Sequence, residues 1–131
     1  MTFTVESTSH TDVLEITTAV NDHIPIDLDH GLAVVYCTHT TAGLIINEHE
    51  PRLCDDIQAF LTELVPEDAS YSHDQIDNNA ASHLRSLLLG ESVIVPIQDG
   101  SVSLGTWPVL LVECDGPRTR SITVKSIPLI T

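Results

Sequence analysis

Short stretches rich in valine, isoleucine and threonine recur from one end of this chain to the other, and helical stretches do not alternate with them regularly. Phe3–Ser7, Leu32–Thr38, Leu44–Asn47, Ser92–Ile97, Val109–Cys114 and Ser121–Ile127 each read as a strand bounded by turn residues. A shorter strand falls at Val13–Ile16. Between them lie three helices. Thr17–Ile24 forms the first, although it is rich in β-branched residues. Pro51, in the first-turn position that proline favours, opens the second, which aligns Leu53, Ile57, Phe60, Leu61 and Leu64 on one face until Pro66 stops it. The third spans Asn79–Leu89, with Asp77 or Asn78 as N-cap and Gly90 as the C-terminal signal. This order predicts an α+β fold on a largely antiparallel sheet or sandwich rather than a doubly wound one. At 131 residues the chain has the length of one domain, expected to span 1–131.

Charge narrows the partners. Nineteen acidic residues face five basic ones, a formal charge of −14, and only Lys125 is a lysine. That field excludes nucleic acid and anionic membrane as partners. Lysine depletion and the excess of aspartate over glutamate predict adaptation to high salt, where self-repulsion is screened. No apolar run approaches the ~20 residues of a membrane span, and no leader pattern opens the chain, so a cytoplasmic protein is expected. Cys37, Cys54 and Cys114 are widely separated without a Cys-x-x-Cys spacing, and read as reduced, mostly buried residues rather than nucleophiles.

Three of the seven histidines sit where the chain changes direction. His39 closes an apolar strand, His73 follows Tyr71 in a polar loop, and His83 rides the third helix. Three imidazoles with a fourth position open is the usual donor set of a catalytic zinc-type site. The turn Thr38-His-Thr-Thr-Ala-Gly presents His39, Thr40 and Thr41 at a sheet end, where hydroxyls and backbone N–H groups bind anionic oxygen; it reads equally as a hairpin with an incidental histidine. Glu48, after the next strand, is a candidate acid or base. Asn79, four residues before His83, shares its helical face and is placed to orient the ring or touch ligand. Asp74 or Asp77 is a candidate carboxylate for fixing a histidine tautomer. His10, His23, His30 and His49 lie in polar stretches and read as surface or capping residues.

Arg118 and Arg120 concentrate two of the five basic residues in one turn entering a strand, and would share a face if the strand has begun. They suit either a bidentate grip on phosphate or salt bridges to the many carboxylates. Arg52, with Asp55 and Asp56 three and four residues on, is expected to form a plain helix-surface pair. Trp107, the single tryptophan, follows a glycine-punctuated loop that lacks a phosphate-loop pattern, and either walls a pocket or fills a gap.

His39-Thr-Thr-Ala, Ile46-Asn-Glu, Tyr71-Ser-His-Asp, Asn79-Ala-x-x-His-Leu, Leu104-Gly-Thr-Trp and Arg118-x-Arg occur in this order over nearly the whole chain. Together they resemble the YjbQ family, also called secondary thiamine-phosphate synthases. The resemblance implies a compact α+β homotrimer with a metal-associated pocket near subunit boundaries. It places the family's histidines on His39, His73 and His83, its acid on Glu48 and its late arginine on Arg120. Pro108 stands where the family usually has Gln, and His49 where it often has Asn.

The implied reaction joins an aminopyrimidine diphosphate to a thiazole phosphate with release of pyrophosphate. Small phosphorylated metabolites are therefore the expected ligands, gripped by Arg118, Arg120, Thr41 and Trp107, with Glu48, Thr40 and Asn79 at the reacting groups. Three histidines favour Zn²⁺, with Mn²⁺ or Fe²⁺ as alternatives, while Mg²⁺ would arrive with substrate. Two other functions use the same residues: metal-assisted hydrolysis of a phosphate or other ester, and non-catalytic binding of a metal or metabolite by a trimer.

Overall fold

A computed structural model describes residues 1–130. Its elements in chain order are β1 (Thr2–Glu6), β2 (Asp12–Glu15), α1 (Thr17–Asp22), β3 (Gly31–Cys37), β4 (Ala42–Ile46), α2 (Pro51–Leu64), a 3₁₀ turn (Ser72–Gln75), α3 (Ala80–Leu89), β5 (Ser92–Gln98), β6 (Ser101–Val102), β7 (Val109–Glu113) and β8 (Thr119–Pro128). All strand pairs are antiparallel, in a five-stranded sheet of order β1-β8-β3-β5-β6 and a three-stranded sheet of order β2-β7-β4. The α+β expectation is met.

The layers follow from side-chain alternation. Ala33, Val35, Val95, Ile97, Ile122 and Val124 of the larger sheet meet Leu44, Val109 and Leu111 of the smaller one, with Val20 and Ile24 closing one side. The opposite face of the smaller sheet, through Val112 and Cys114, packs on Leu61 of α2, with Ile57 and Leu89 alongside. All five residues of β7 are therefore buried. That is why Val109-Leu-Leu-Val shows no polar alternation: neither face of this strand meets water.

α3 is fastened to the smaller sheet by two serines one turn apart. Ser82 Oγ donates to the Cys114 carbonyl and Ser86 Oγ to the Ala42 carbonyl, each at 2.6 Å. The approach is close enough that a Cβ at Gly43 would lie 2.5 Å from the Leu89 Cβ and 2.9 Å from the Gly90 carbonyl. The cap of α3 differs from expectation. Neither Asp77 nor Asn78 caps it; the Asp74 carboxylate reaches forward from the 3₁₀ turn to accept from the Ala80 N–H at 2.9 Å. Asn78 instead turns the chain with φ of 54°.

Other boundaries moved for physical reasons. α1 stops at Asp22, one residue before His23 turns its Nδ1 back to the Ala19 carbonyl at 2.7 Å. β8 is longer than its apolar core because it pairs with β1 on one side and β3 on the other. β6, two residues long, is too short to show a period. Cys37 and Cys114 are buried and free, and burial pushes both thiols up, Cys114 to about 12. Neither is a thiolate at neutral pH. The outer face of the larger sheet leaves Tyr36 43%, Ile94 64% and Ile127 49% exposed.

Candidate functional site

The link Thr38–Thr41 carries the chain from β3 in one sheet to β4 in the other, so His39 stands where the two sheets part. α3, seated by Ser82 and Ser86, brings His83 to the same place. His39 and His83 line one cavity of about 430 Å³, together with Tyr36, Thr38, Thr40, Ser86, Leu87 and Glu91. His83 also lines a second cavity of about 520 Å³ with Tyr71, Ser72, His73 and Leu84. The rings of His73 and His83 meet edge to face, centroids 5.0 Å apart at 88°. Histidines scattered over more than forty positions thus converge on two adjoining cavities with His83 as their common wall.

The three-histidine metal set is not formed within this chain. Among the described residues no group of three or more His, Cys, Asp or Glu side chains is placed to hold a metal ion. His39 Nε2 accepts a hydrogen bond from the Ser121 backbone N–H at 2.8 Å, so that lone pair is already used. Burial first, and then the nearby Arg120 guanidinium, hold His39 below the ordinary histidine range, with Glu113 partly opposing. His39 is neutral at neutral pH.

Beneath His39 lies a buried ion pair. The Arg120 guanidinium donates to both carboxylate oxygens of Glu113, through Nε to Oε1 at 2.9 Å and through Nη2 to Oε2. The same Nη2 donates to the Thr41 carbonyl and hydroxyl at 3.1 and 3.0 Å. Burial pushes the Glu113 carboxyl up, but hydrogen bonds from Arg120, Ser7 and the Asp115 amide outweigh it and hold the group below the usual carboxylate range.

Two expected phosphate ligands are thereby corrected. Arg120 is 1% exposed and Thr41 8% exposed, both bonded into the core, so neither reaches ligand. Arg118 and Arg120 do not share a face either, because Arg118 precedes β8, stays exposed and pairs with the Asp115 carboxylate at 3.0 Å. Arg118 remains close enough to His39 to act on its charge.

Other candidates stand apart from the cavities. Glu48 lies beyond the far end of β4, about 20 Å of extended chain from Thr41. Trp107 is 50% exposed at that same far end, in a hollow of about 180 Å³ with Glu15, Thr17 and Pro108. Asn79 gives its backbone carbonyl to the His83 N–H at 3.2 Å, while its Oδ1 is buried with no partner, so it does not orient the imidazole. Sequence reasoning missed Ser82, Ser86, Glu113 and Tyr36. The serines carried a signal, two hydroxyls at helical spacing inside an apolar helix.

A family model described as UPF0047 protein YjbQ-like matches residues 1–128. A UPF0047 protein of Archaeoglobus fulgidus is 42% identical over 128 residues, covering 97% of this chain and 100% of the relative. UPF0047 protein YugU of Bacillus subtilis is 32% identical, covering 95% and 96%. Among solved structures, a hypothetical protein from Aeropyrum pernix superposes with a TM-score of 0.93 at 37% identity over 98% of both chains. An uncharacterized YjbQ/UPF0047 protein from Clostridium acetobutylicum gives 0.91 at 32% identity, over 97% and 99%.

Proposed function

This chain belongs to the UPF0047 protein YjbQ-like family, and on that footing we propose that it is a transferase of the thiamine-phosphate synthase type acting on small phosphorylated metabolites. The observation that carries the reading is the pair of adjoining cavities divided by His83. Two substrates must meet, and a shared wall lets each occupy its own side. In this reaction the thiazole nitrogen bonds to the pyrimidine's exocyclic methylene carbon as the carbon–oxygen bond to the diphosphate breaks. Negative charge gathers on the departing pyrophosphate.

Hydrogen-bond donors aimed at that charge lower the barrier. Thr40 and His39 line the first cavity as donors, and Tyr36 and Leu87 give an apolar wall for a ring. The three-histidine set does not fit a zinc-type ion in this chain, so no step is assigned to one. Purified protein given both phosphorylated precursors with Mg²⁺ is expected to form thiamine phosphate, and His83→Ala to lower the rate about 10²-fold. Equal product from both proteins, or none from either, rejects the reading.

A homotrimer is part of the same proposal, supported by the uncovered apolar face of Tyr36, Ile94 and Ile127, which borders the first cavity through Tyr36. The second reading, hydrolysis of a phosphate or other ester, rests on the same cavity and is separated by a phosphatase and esterase panel. Non-catalytic metabolite binding is separated by stoichiometric binding without turnover.

A further inference from the structure

We infer that His39 is a fixed hydrogen-bond donor, not a metal ligand, and that its Nδ1–H recognises an oxygen of a phosphate or diphosphate ligand in the cavity it shares with His83. The inference rests on the reading of that cavity as a phosphometabolite site.

The Ser121 amide fixes the tautomer of His39. A backbone N–H only donates, so the ring nitrogen that faces it at 2.8 Å must offer a lone pair. In neutral imidazole the proton then sits on the other nitrogen, Nδ1. Free histidine is able to exchange tautomers, but here Ser121 belongs to β8, which is paired on both sides, so its amide is held in place. A metal would need a lone pair that this ring does not have free: Nε2 is occupied and Nδ1 carries hydrogen. Nδ1 makes no hydrogen bond within the described residues and is not among the buried atoms left without a partner, so it remains open to a ligand.

The surroundings decide what that ligand is. Arg120 and Arg118 both disfavour a charge on His39, but each is already paired, with Glu113 and Asp115, and Glu91 lines the same cavity, so what His39 offers a ligand is a neutral N–H donor. Thr40 adds a hydroxyl on the same cavity wall. An N–H donor beside a hydroxyl suits an oxyanion oxygen. A ring nitrogen that carries hydrogen does not suit a cation. Arg120 and Glu113 act here as positioning residues, since they hold Thr41 and so the turn on which His39 is carried.

The test uses the wild-type protein labelled with ¹⁵N-histidine, its His39 signals assigned by their loss in His39→Gln. The expected result at neutral pH is a protonated Nδ1 and an unprotonated Nε2 at His39. Added pyrophosphate at millimolar concentration should shift His39 Nδ1, and added Zn²⁺ should leave it unmoved. His39→Ala should weaken pyrophosphate binding about tenfold, the loss of one such hydrogen bond. His39→Gln, which keeps both an acceptor for Ser121 and a donor for ligand, should retain most of the affinity. A protonated Nε2, a Zn²⁺-induced shift at His39, or a His39 signal indifferent to pyrophosphate overturns the inference. Because none of these readouts needs turnover, absence of thiamine phosphate with a correct tautomer and pyrophosphate binding rejects the transferase reading alone.

Discussion

Arg120 holds Thr41 by both its carbonyl and its hydroxyl, so the turn that presents His39 is anchored to a buried ion pair rather than to the surface.

Removing one partner of that pair should therefore cost far more than a surface contact. Glu113 is 0% and Arg120 1% exposed, and a lone buried charge is left behind. Glu113→Gln or Arg120→Met should lower unfolding free energy by about 3–5 kcal/mol. The double variant Glu113→Leu with Arg120→Met should recover much of it. Denaturant titration checks both, and a double variant as unstable as the singles would refute the desolvation argument.

Stability should fall on acidification in two stages. His39 is held below its ordinary value of 6.5, so below about that pH the unfolded chain takes a proton the folded one refuses, and stability declines until the folded value is passed. Glu113 is held below its ordinary 4.5; its stabilisation is complete above that pH and is lost as pH falls through the lower folded value. Urea midpoints measured from pH 8 down to about pH 2 should show both. His39→Gln should abolish only the upper stage.

Ser86→Ala strips the Ala42 carbonyl of its buried donor. A cost of about 1–3 kcal/mol is expected. Because the same bond seats the helix bearing His83, pyrophosphate affinity should fall as well, readable by calorimetry. Unchanged affinity would separate the helix seat from the site.

With a charge of −14, the folded chain repels itself in dilute buffer. Molar KCl shortens the screening length to about 3 Å, so the melting temperature should climb steadily from low to molar KCl. A flat series in calorimetry would dismiss salt adaptation.

Ile94 is 64% exposed on the uncovered face of the larger sheet. Ile94→Glu places a charge there without touching the core; the unaltered chain is expected to sediment as a trimer and the variant as a monomer. Identical sedimentation of both proteins would exclude this face as the interface.

Much of the fold was legible in sequence because apolar period and turn residues report directly on local structure. α2 began and ended where Pro51 and Pro66 placed it. The site was legible in part. His39 and His83 reach one cavity because each lies at an element's edge, where direction changes expose a side chain. The arginines misled for a physical reason: alternation shows that Arg120 lies on one face of a strand but not which face is buried, and only the partner Glu113, seven residues upstream on another strand, settles that. Asn79 misled differently, since helical spacing places it beside His83 without saying whether its amide turns toward the ring. The two-sheet arrangement depended on pairings between distant segments, which no local period encodes.

Strand β7 contributes alternate residues to the core between the sheets and to the packing under α2 and α3. Neither half of the protein therefore has a boundary along which it opens alone, and amide exchange in β7 and its neighbours should proceed only through whole-molecule unfolding. The cavities sit on this all-or-none frame, so the lifetime of the site is the lifetime of the fold.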